Sequence, residues 1–310
     1  MLRHFQPLSW ILAMTQTIGF IGLGTMGRPM VHHLINRGHR LKLYARRPEA
    51  FQQEARHLVE QGALAVSTLA DFATDCDVII TNVLGTADVQ SVLIDHADAI
   101  IHSASPDTLV IDHSTIDPIA TQTIARQFAK ARVQFVDAPV SGGVWAAEAG
   151  ELVSMLGGTP TACEHAVSII SAYTKAQTRV GDAGHGQIAK LANQIAQTVT
   201  IQGVAESLTF ARTMGADPQA VFEAIKDGMG GSPMMSLLAP KMIAEDYQAG
   251  IAARLHAKDA AIADEAATHA GQALPCLQQV SALYAELLAA GDGDADTSKL
   301  ITRLASRSVA

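Results

Sequence analysis

The hexapeptide Gly22-Leu23-Gly24-Thr25-Met26-Gly27 constrains this chain more than any other stretch. It follows a short run of β-formers, Thr17-Ile18-Gly19-Phe20-Ile21, and opens a helical pattern, so its glycines fall at a strand-to-helix turn. There each glycine has a mechanical use. The first permits the tight turn, the second lets the backbone approach a pyrophosphate, and the third lets helix and strand pack closely. Amides of the helix N-terminus then meet the phosphate charge. The motif predicts a dinucleotide site formed by Gly22, Gly24, Thr25, Met26 and Gly27 on a doubly wound α/β domain.

The following sequence alternates as such a domain requires. Predicted strands cover residues 17–22, 41–46, 77–83, 109–113, 133–139, 152–156 and 178–180. Predicted helices between them cover 28–37, 48–61, 118–131 and 161–172. After about Gly181 the β signals stop, and helical patterns continue through 218–227, 234–245, 255–270 and 277–290. We therefore expect a Rossmann-type domain over residues 16–181 and an all-helical domain over 182–310. Residues 1–15 read as a disordered extension, or as a start placed too early with Met14 as the true one.

Composition supports two folded domains: 310 residues, 48% hydrophobic and 17% charged. The formal net charge of −8 argues against a nucleic-acid partner, which would want a dense basic patch. No stretch reaches the roughly 18–20 apolar residues of a membrane span, and the patch Leu8–Met14 is short for a signal sequence. Cys76, Cys163 and Cys276 form no CxxC pair and no zinc spacing. The acids of Gly291–Asp296 alternate like a calcium loop but lack its final glutamate. The expectation is a cytoplasmic protein with no metal, no nucleic acid and no membrane contact.

NAD sites place an Asp or Glu at the end of the second strand, where it binds the ribose hydroxyls. Here the strand ends Tyr44-Ala45-Arg46-Arg47-Pro48, with no acid before Glu49. A guanidinium holds a 2′-phosphate through paired hydrogen bonds. Arg46 and Arg47 thus predict NADPH in preference to NADH, with NADH still possible.

Gly186-Gln187-Ile188-Ala189-Lys190-Leu191-Ala192-Asn193-Gln194 opens a long apolar-periodic run with no proline before Pro218. On a helix Lys190, Asn193, Gln194 and Gln197 share one face. Leu191, Ile195, Val199, Ile201, Val204, Leu208 and Phe210 supply the apolar surface to bury the remainder. The polar stripe reads equally as an acid and an amide offered to one small substrate or as a solvated face.

With these motifs the chain resembles the β-hydroxyacid dehydrogenase family, which includes 3-hydroxyisobutyrate dehydrogenase, tartronate semialdehyde reductase and the glyoxylate/succinic semialdehyde reductases. Four segments carry the likeness: Gly19 through Met30, Asp112-His113-Ser114-Thr115-Ile116, Asp137-Ala138-Pro139-Val140-Ser141-Gly142-Gly143, and Gly184 through Asn193. A weaker fifth is His256-Ala257-Lys258-Asp259. The resemblance implies a Rossmann domain joined through one long helix to an all-α domain that takes part in homodimer or homotetramer contacts. It implies Lys190 as the catalytic lysine and Asn193 as the substrate-binding amide. Ser141, Gly142 and Gly143 match the loop that binds the substrate carboxylate, Thr115 a cofactor-contacting threonine, and Lys258 a second lysine at the nicotinamide end. Val83-Leu84-Gly85 stands where many members have a Leu-Pro pair beside the cofactor. Some members place the asparagine four residues after the lysine, where this chain has Gln194, so Asn193 and Gln194 both remain candidates for the substrate contact.

Reduction of a carbonyl needs a hydride on one face and a proton for the developing alkoxide. An ammonium at Lys190 serves the second need, stabilising the oxygen and protonating it. Small residues at Ser141-Gly142-Gly143 let backbone amides converge on a carboxylate. The expected reaction is reduction of a small carboxylated aldehyde, first 2-hydroxy-3-oxopropionate (tartronate semialdehyde) to glycerate. Oxidation of 3-hydroxyisobutyrate comes next, then reduction of glyoxylate or succinic semialdehyde. Imine reductases and a non-catalytic NADPH-binding protein would share the scaffold; Lys190 argues against the first without excluding it, and the second would have no need of Lys190, Asn193 and Ser141 together. His113, His185 and His256 have no carboxylate at telling spacing and read as packing or surface residues.

Overall fold

The structure is a computed structural model that describes residues 15–248 and 250–305; residues 1–14 of the expected extension lie outside the described residues. The chain divides into two compact units. The first takes in the chain up to Ser114 together with Ala120–Gly186, and the second takes in Thr115–Ile119 and the chain from Gln187 onward.

Among the described residues the first unit carries a nine-stranded sheet. Its strands are β1 (Thr17–Ile21), β2 (Arg40–Tyr44), β3 (Leu64–Val66), β4 (Val78–Thr81), β5 (Leu109–Asp112), β6 (Gln134–Asp137), β7 (Val140–Ser141), β8 (Leu152–Gly157) and β9 (Thr174–Gly181). The order is β3-β2-β1-β4-β5-β6-β8-β7, with β9 on β8. β4 and β5 are buried along their whole length, as strands covered on both faces must be, which is why they read as unbroken apolar runs. The order reverses at β1, which lies between β2 and β4, and ligands of such sheets bind at that switch point. Ile21 stands opposite both Tyr44 and Thr81, so the loops of Gly22, Arg46 and Val83 leave one edge of the sheet.

The helices of this unit are α1 (Gly27–Asn36), α2 (Arg56–Glu60), α3 (Leu69–Ala73), α4 (Thr86–Gln90), α5 (Pro118–Lys130, from Ala120), α6 (Gly143–Ala149) and α7 (Pro160–Ile170). Met30, Val31 and Leu34 of α1 bury completely with Ile18, Phe20 and Leu43 of the strands.

The sequence patterns missed several pieces. The helix expected over 48–61 is a 3-10 turn at Pro48–Phe51 followed by the five residues of α2, because only Ala55 and Leu58 there are fully buried. β3 and β7 are too short to show a period. β9 runs well beyond the expected 178–180, but most of it is exposed, so it lacks an apolar signal. The sheet is not wholly parallel: β8 runs antiparallel to β6 and β7.

The second unit is helical. It is built on α8 (His185–Thr213, from Gln187), 29 residues long, with α9 (Pro218–Ile225), α10 (Pro233–Ala244), α11 (Ala253–His269) and α12 (Pro275–Ala289). Asp217 caps α9 through Gln219 N, and Ser232 caps α10 through Met235 N, each followed by a proline in the first turn. Ile201, Val204 and Leu208 of α8 bury against Leu238, Met242, Leu283, Tyr284 and Leu287. Phe210, expected among the core residues, is instead 67% exposed, because it lies off the stripe of 201, 204 and 208. No described helix is long and apolar enough to cross a membrane.

Candidate active site

In the first unit the glycine loop is sterically fixed. Gly22 has φ +104°, and a Cβ there would run into the Asn82 carbonyl oxygen. A Cβ at Gly27 would strike the Gly22 carbonyl oxygen, so helix α1 and the turn touch backbone to backbone. Gly24 is different: a Cβ there would meet nothing within 4 Å, which leaves its backbone open to a ligand. No described side chain caps α1. Open backbone beside uncapped helical amides fits a pyrophosphate.

Arg46 is 86% exposed and stands 3.3 Å from Asp88 of α4; Arg47 is also exposed. Val83 is positioned by a buried network that sequence reasoning did not assign. Thr81 Oγ1 and Ser114 N both donate to Asp112 Oδ1, at 2.8 and 3.1 Å, and Val83 N donates to Ser114 Oγ at 2.9 Å. Leu84, next in the chain, is 55% exposed.

Ser141 ends β7, and Gly142 and Gly143 carry the chain into α6, all three half-buried. Gly142 has φ +136°, and a Cβ would lie 2.7 Å from Ala146 Cβ. A side chain at this turn would both strain the backbone and displace α6.

His113 is buried with its Nδ1 2.6 Å from Ala138 O and its Nε2 2.8 Å from Tyr173 OH. A carbonyl only accepts, so Nδ1–H donates to it and, in the neutral ring, Tyr173 donates to Nε2. Burial pushes the imidazole down to about 4, with the Ala138 bond opposing.

In the second unit Lys190 is buried, not solvated: it is 8% exposed. Lys190 Nζ donates to Gln194 Oε1 at 3.0 Å, and Asn193 Nδ2 donates to the same oxygen at 3.0 Å. Gln194 Nε2 donates to Asp259 Oδ2 at 2.6 Å. Lys258 Nζ donates to Thr115 O at 2.9 Å and stands 2.9 Å from Asp259 Oδ1 as an ion pair, off hydrogen-bond alignment. Ile116 N donates to Gln187 Oε1. Desolvation lowers Lys190 to about 8; Asp259 opposes this and Lys258 adds to it. A buried amine near neutrality is equipped both to give and to take a proton.

His256 is buried against Thr297 Oγ1 at 3.0 Å and is held down to about 4, first by burial. His185 is exposed, with Nδ1 3.0 Å from Asp182 O. Among the described residues no group of three or more His, Cys, Asp or Glu is arranged to hold a metal ion.

Residues 17–181 match the family described as the NAD binding domain of 6-phosphogluconate dehydrogenase. Residues 184–304 match that described as NAD-binding of NADP-dependent 3-hydroxyisobutyrate dehydrogenase. The chain belongs to the β-hydroxyacid dehydrogenase family. It is similar to an uncharacterized oxidoreductase of Bacillus subtilis, YkwC, at 36% identity over 93% of this chain and 98% of that one. The 2-hydroxy-3-oxopropionate reductase of Escherichia coli is 34% identical, over 93% and 96%. Among solved structures, a 3-hydroxyisobutyrate dehydrogenase of Mycobacterium tuberculosis with L-serine superposes with a TM-score of 0.85 at 28% identity, covering 94% of this chain and 99% of that one. The protein is thus an oxidoreductase with NAD(P)-binding domains and the NAD(P)-dependent activity of a β-hydroxyacid dehydrogenase.

Set against the β-hydroxyacid dehydrogenase pattern, the first unit gathers Gly22, Gly24, Thr25, Met26, Gly27, Arg46, Arg47, Val83 and Leu84 on loops at one sheet edge and holds Ser141–Gly143 on another turn. The second unit links Lys190, Asn193, Lys258 and Thr115 through Gln194 and Asp259. Sequence reasoning gave Asp259 no role of its own. Its signal was an acid beside Lys258 on a helix whose other buried positions are mostly small.

Proposed function

We propose that this enzyme is an NADPH-dependent reductase of a small carboxylated aldehyde, converting 2-hydroxy-3-oxopropionate to glycerate, with Lys190 as general acid. The observation that carries the reading is the buried Lys190 ammonium, aimed by Gln194 and brought to about 8 by desolvation. When bound, NADPH supplies the hydride that the aldehyde carbon gains. Lys190 gives the proton that the oxygen gains, and solvent restores the ammonium. Backbone amides at Ser141, Gly142 and Gly143 receive the carboxylate. Arg46 and Arg47 favour the 2′-phosphate, and the surface pair with Asp88 costs little to open, since exposed pairs contribute about 0–1 kcal/mol. The E. coli relative named for this reaction supports the choice of substrate.

A second reading, oxidation of 3-hydroxyisobutyrate, is favoured by the match over residues 184–304 and by the M. tuberculosis structure. Initial velocities with each semialdehyde and each hydroxyacid, using NADPH or NADH and NADP⁺ or NAD⁺, separate the two. The proposal expects rapid NADPH oxidation with 2-hydroxy-3-oxopropionate, lost in Lys190→Ala. Equal or faster turnover with NADH, or activity that survives the substitution, would overturn it.

A further inference from the structure

The hydrogen bonds around Lys190 have a direction, and Asp259 sets it. A carboxylate accepts only, so the Gln194 group 2.6 Å from Asp259 Oδ2 must be its NH2. The opposite orientation would press two oxygens together beside a buried negative charge. Gln194 Oε1 is therefore turned away from Asp259, toward Lys190 Nζ and Asn193, each 3.0 Å distant. Asn193 faces an oxygen, so it must present its own NH2 to Gln194, and its Oδ1 is left pointing elsewhere. That oxygen accepts no hydrogen bond from any described residue, and it is not among the solvent-inaccessible polar atoms. One buried acid thus fixes the sense of two successive amides.

We infer that Asn193 Oδ1 selects substrates carrying a hydrogen-bond donor, a hydroxyl or an ammonium, on the carbon next to the one that is oxidised or reduced, and that Asp259 enforces this selection through Gln194. The inference rests on the reading that a small hydroxyacid or its aldehyde reacts beside Lys190. Lys190 and Asn193 share one acceptor, so their nitrogens stand within two hydrogen-bond lengths of each other. Polar substituents on adjacent carbons span such a gap. An acceptor fixed in this way meets a hydroxyl well and meets a methyl group or a hydrogen at the expense of an unmade bond. Gln194 is engaged at both ends: its oxygen takes two donors and its nitrogen donates to Asp259. It is a positioning residue, and Asn193 is the amide that reads the substrate.

The test compares three 3-hydroxy acids that differ in the substituent on one carbon: glycerate with a hydroxyl, 3-hydroxypropionate with hydrogen, and 3-hydroxyisobutyrate with a methyl group. L-Serine, with an ammonium, is the fourth probe. Dissociation constants are measured by calorimetry on the full chain with NADP⁺ present, and kcat/KM for NADP⁺ reduction is measured alongside. Glycerate and serine should bind about tenfold or more tightly than 3-hydroxypropionate, the scale of one hydrogen bond left unmade. Asn193→Ala should bring the ratio close to unity, and Asn193→Ser, whose hydroxyl falls short, provides the same reading if the alanine variant does not fold. Asp259→Asn lets the Gln194 amide turn either way and should also shrink the ratio. A merely structural role for Asp259 would lower thermal stability and leave that ratio unchanged.

A wild-type ratio near unity, or one that persists in both Asn193 variants, would overturn the inference even if all the acids turn over, and the reading of the reaction would then stand alone. A ratio that vanishes as described, without turnover, would support the inference and count against the assigned reaction. Absence of binding by any of the four would overturn both.

Discussion

Lys190 shows how much a single residue owes to its surroundings. In water its amine would be charged through the whole physiological range, whereas burial brings it down to about 8. Asp259 and Lys258 are the charged groups that act on it, the first favouring the charge and the second opposing it. With Lys190 as the proposed acid, reduction needs the ammonium, so its rate should fall as pH rises through about 8; oxidation needs the free amine, so its rate should rise through the same pH. Rate profiles in both directions check this. Two limbs that fail to mirror each other, or a break far from that pH, would remove Lys190 from the proton-transfer role.

At the scale of elements, α10, the segment just before α11 and the turn at Ser298 are joined by Asp296. Its buried carboxylate accepts from Lys241 Nζ at 2.9 Å, Gly250 N at 2.8 Å, Ile251 N at 3.1 Å and Ser298 N at 3.0 Å. Burial raises this carboxyl, but the donors outweigh it and the net shift is downward. Asp296→Asn keeps the shape while leaving Lys241 without its counter-charge. We expect a loss of roughly 2–4 kcal/mol, between that of a charged hydrogen bond and that of a broken buried pair. The midpoint of urea unfolding measures it; a change within error would mean that the loop holds without the acid. Because the folded carboxyl is depressed, its stabilisation is present at neutral pH and lost as the pH falls below the usual carboxylate range.

Over the whole molecule, two buried histidines set a further acid response. His113 in the first unit and His256 in the second are both held at about 4, each chiefly by burial. On acidification the unfolded chain takes up these protons first, near 6.5, while the folded chain does not. Stability contributed by the neutral rings is therefore intact above 6.5 and falls between 6.5 and about 4, by about 1.4 kcal/mol per pH unit for each ring. Urea midpoints taken at about pH 7 and about pH 5 should differ accordingly. Equal midpoints would mean that the folded rings take up protons as readily as the unfolded ones.

The sequence by itself determined the class of the fold, because the signals involved are local. Gly22 and Gly27 are demanded by backbone contacts a few residues away or across one strand pair, and the unbroken apolar runs of β4 and β5 follow from burial on both faces. The same locality made Lys190 visible on a helical face, but it could not decide whether that face was wet. Only the tertiary structure buried it, since α11 brings Asp259 to Gln194 from 65 residues away. It likewise set Gln194 Oε1 toward Lys190 and Asn193: hydrogen-bond direction propagates from a charge, and the charge lies on another helix. Phe210 and the Asp112 network mark the same boundary, for apolarity and polarity are properties of a residue, whereas burial and partnership are properties of its neighbours.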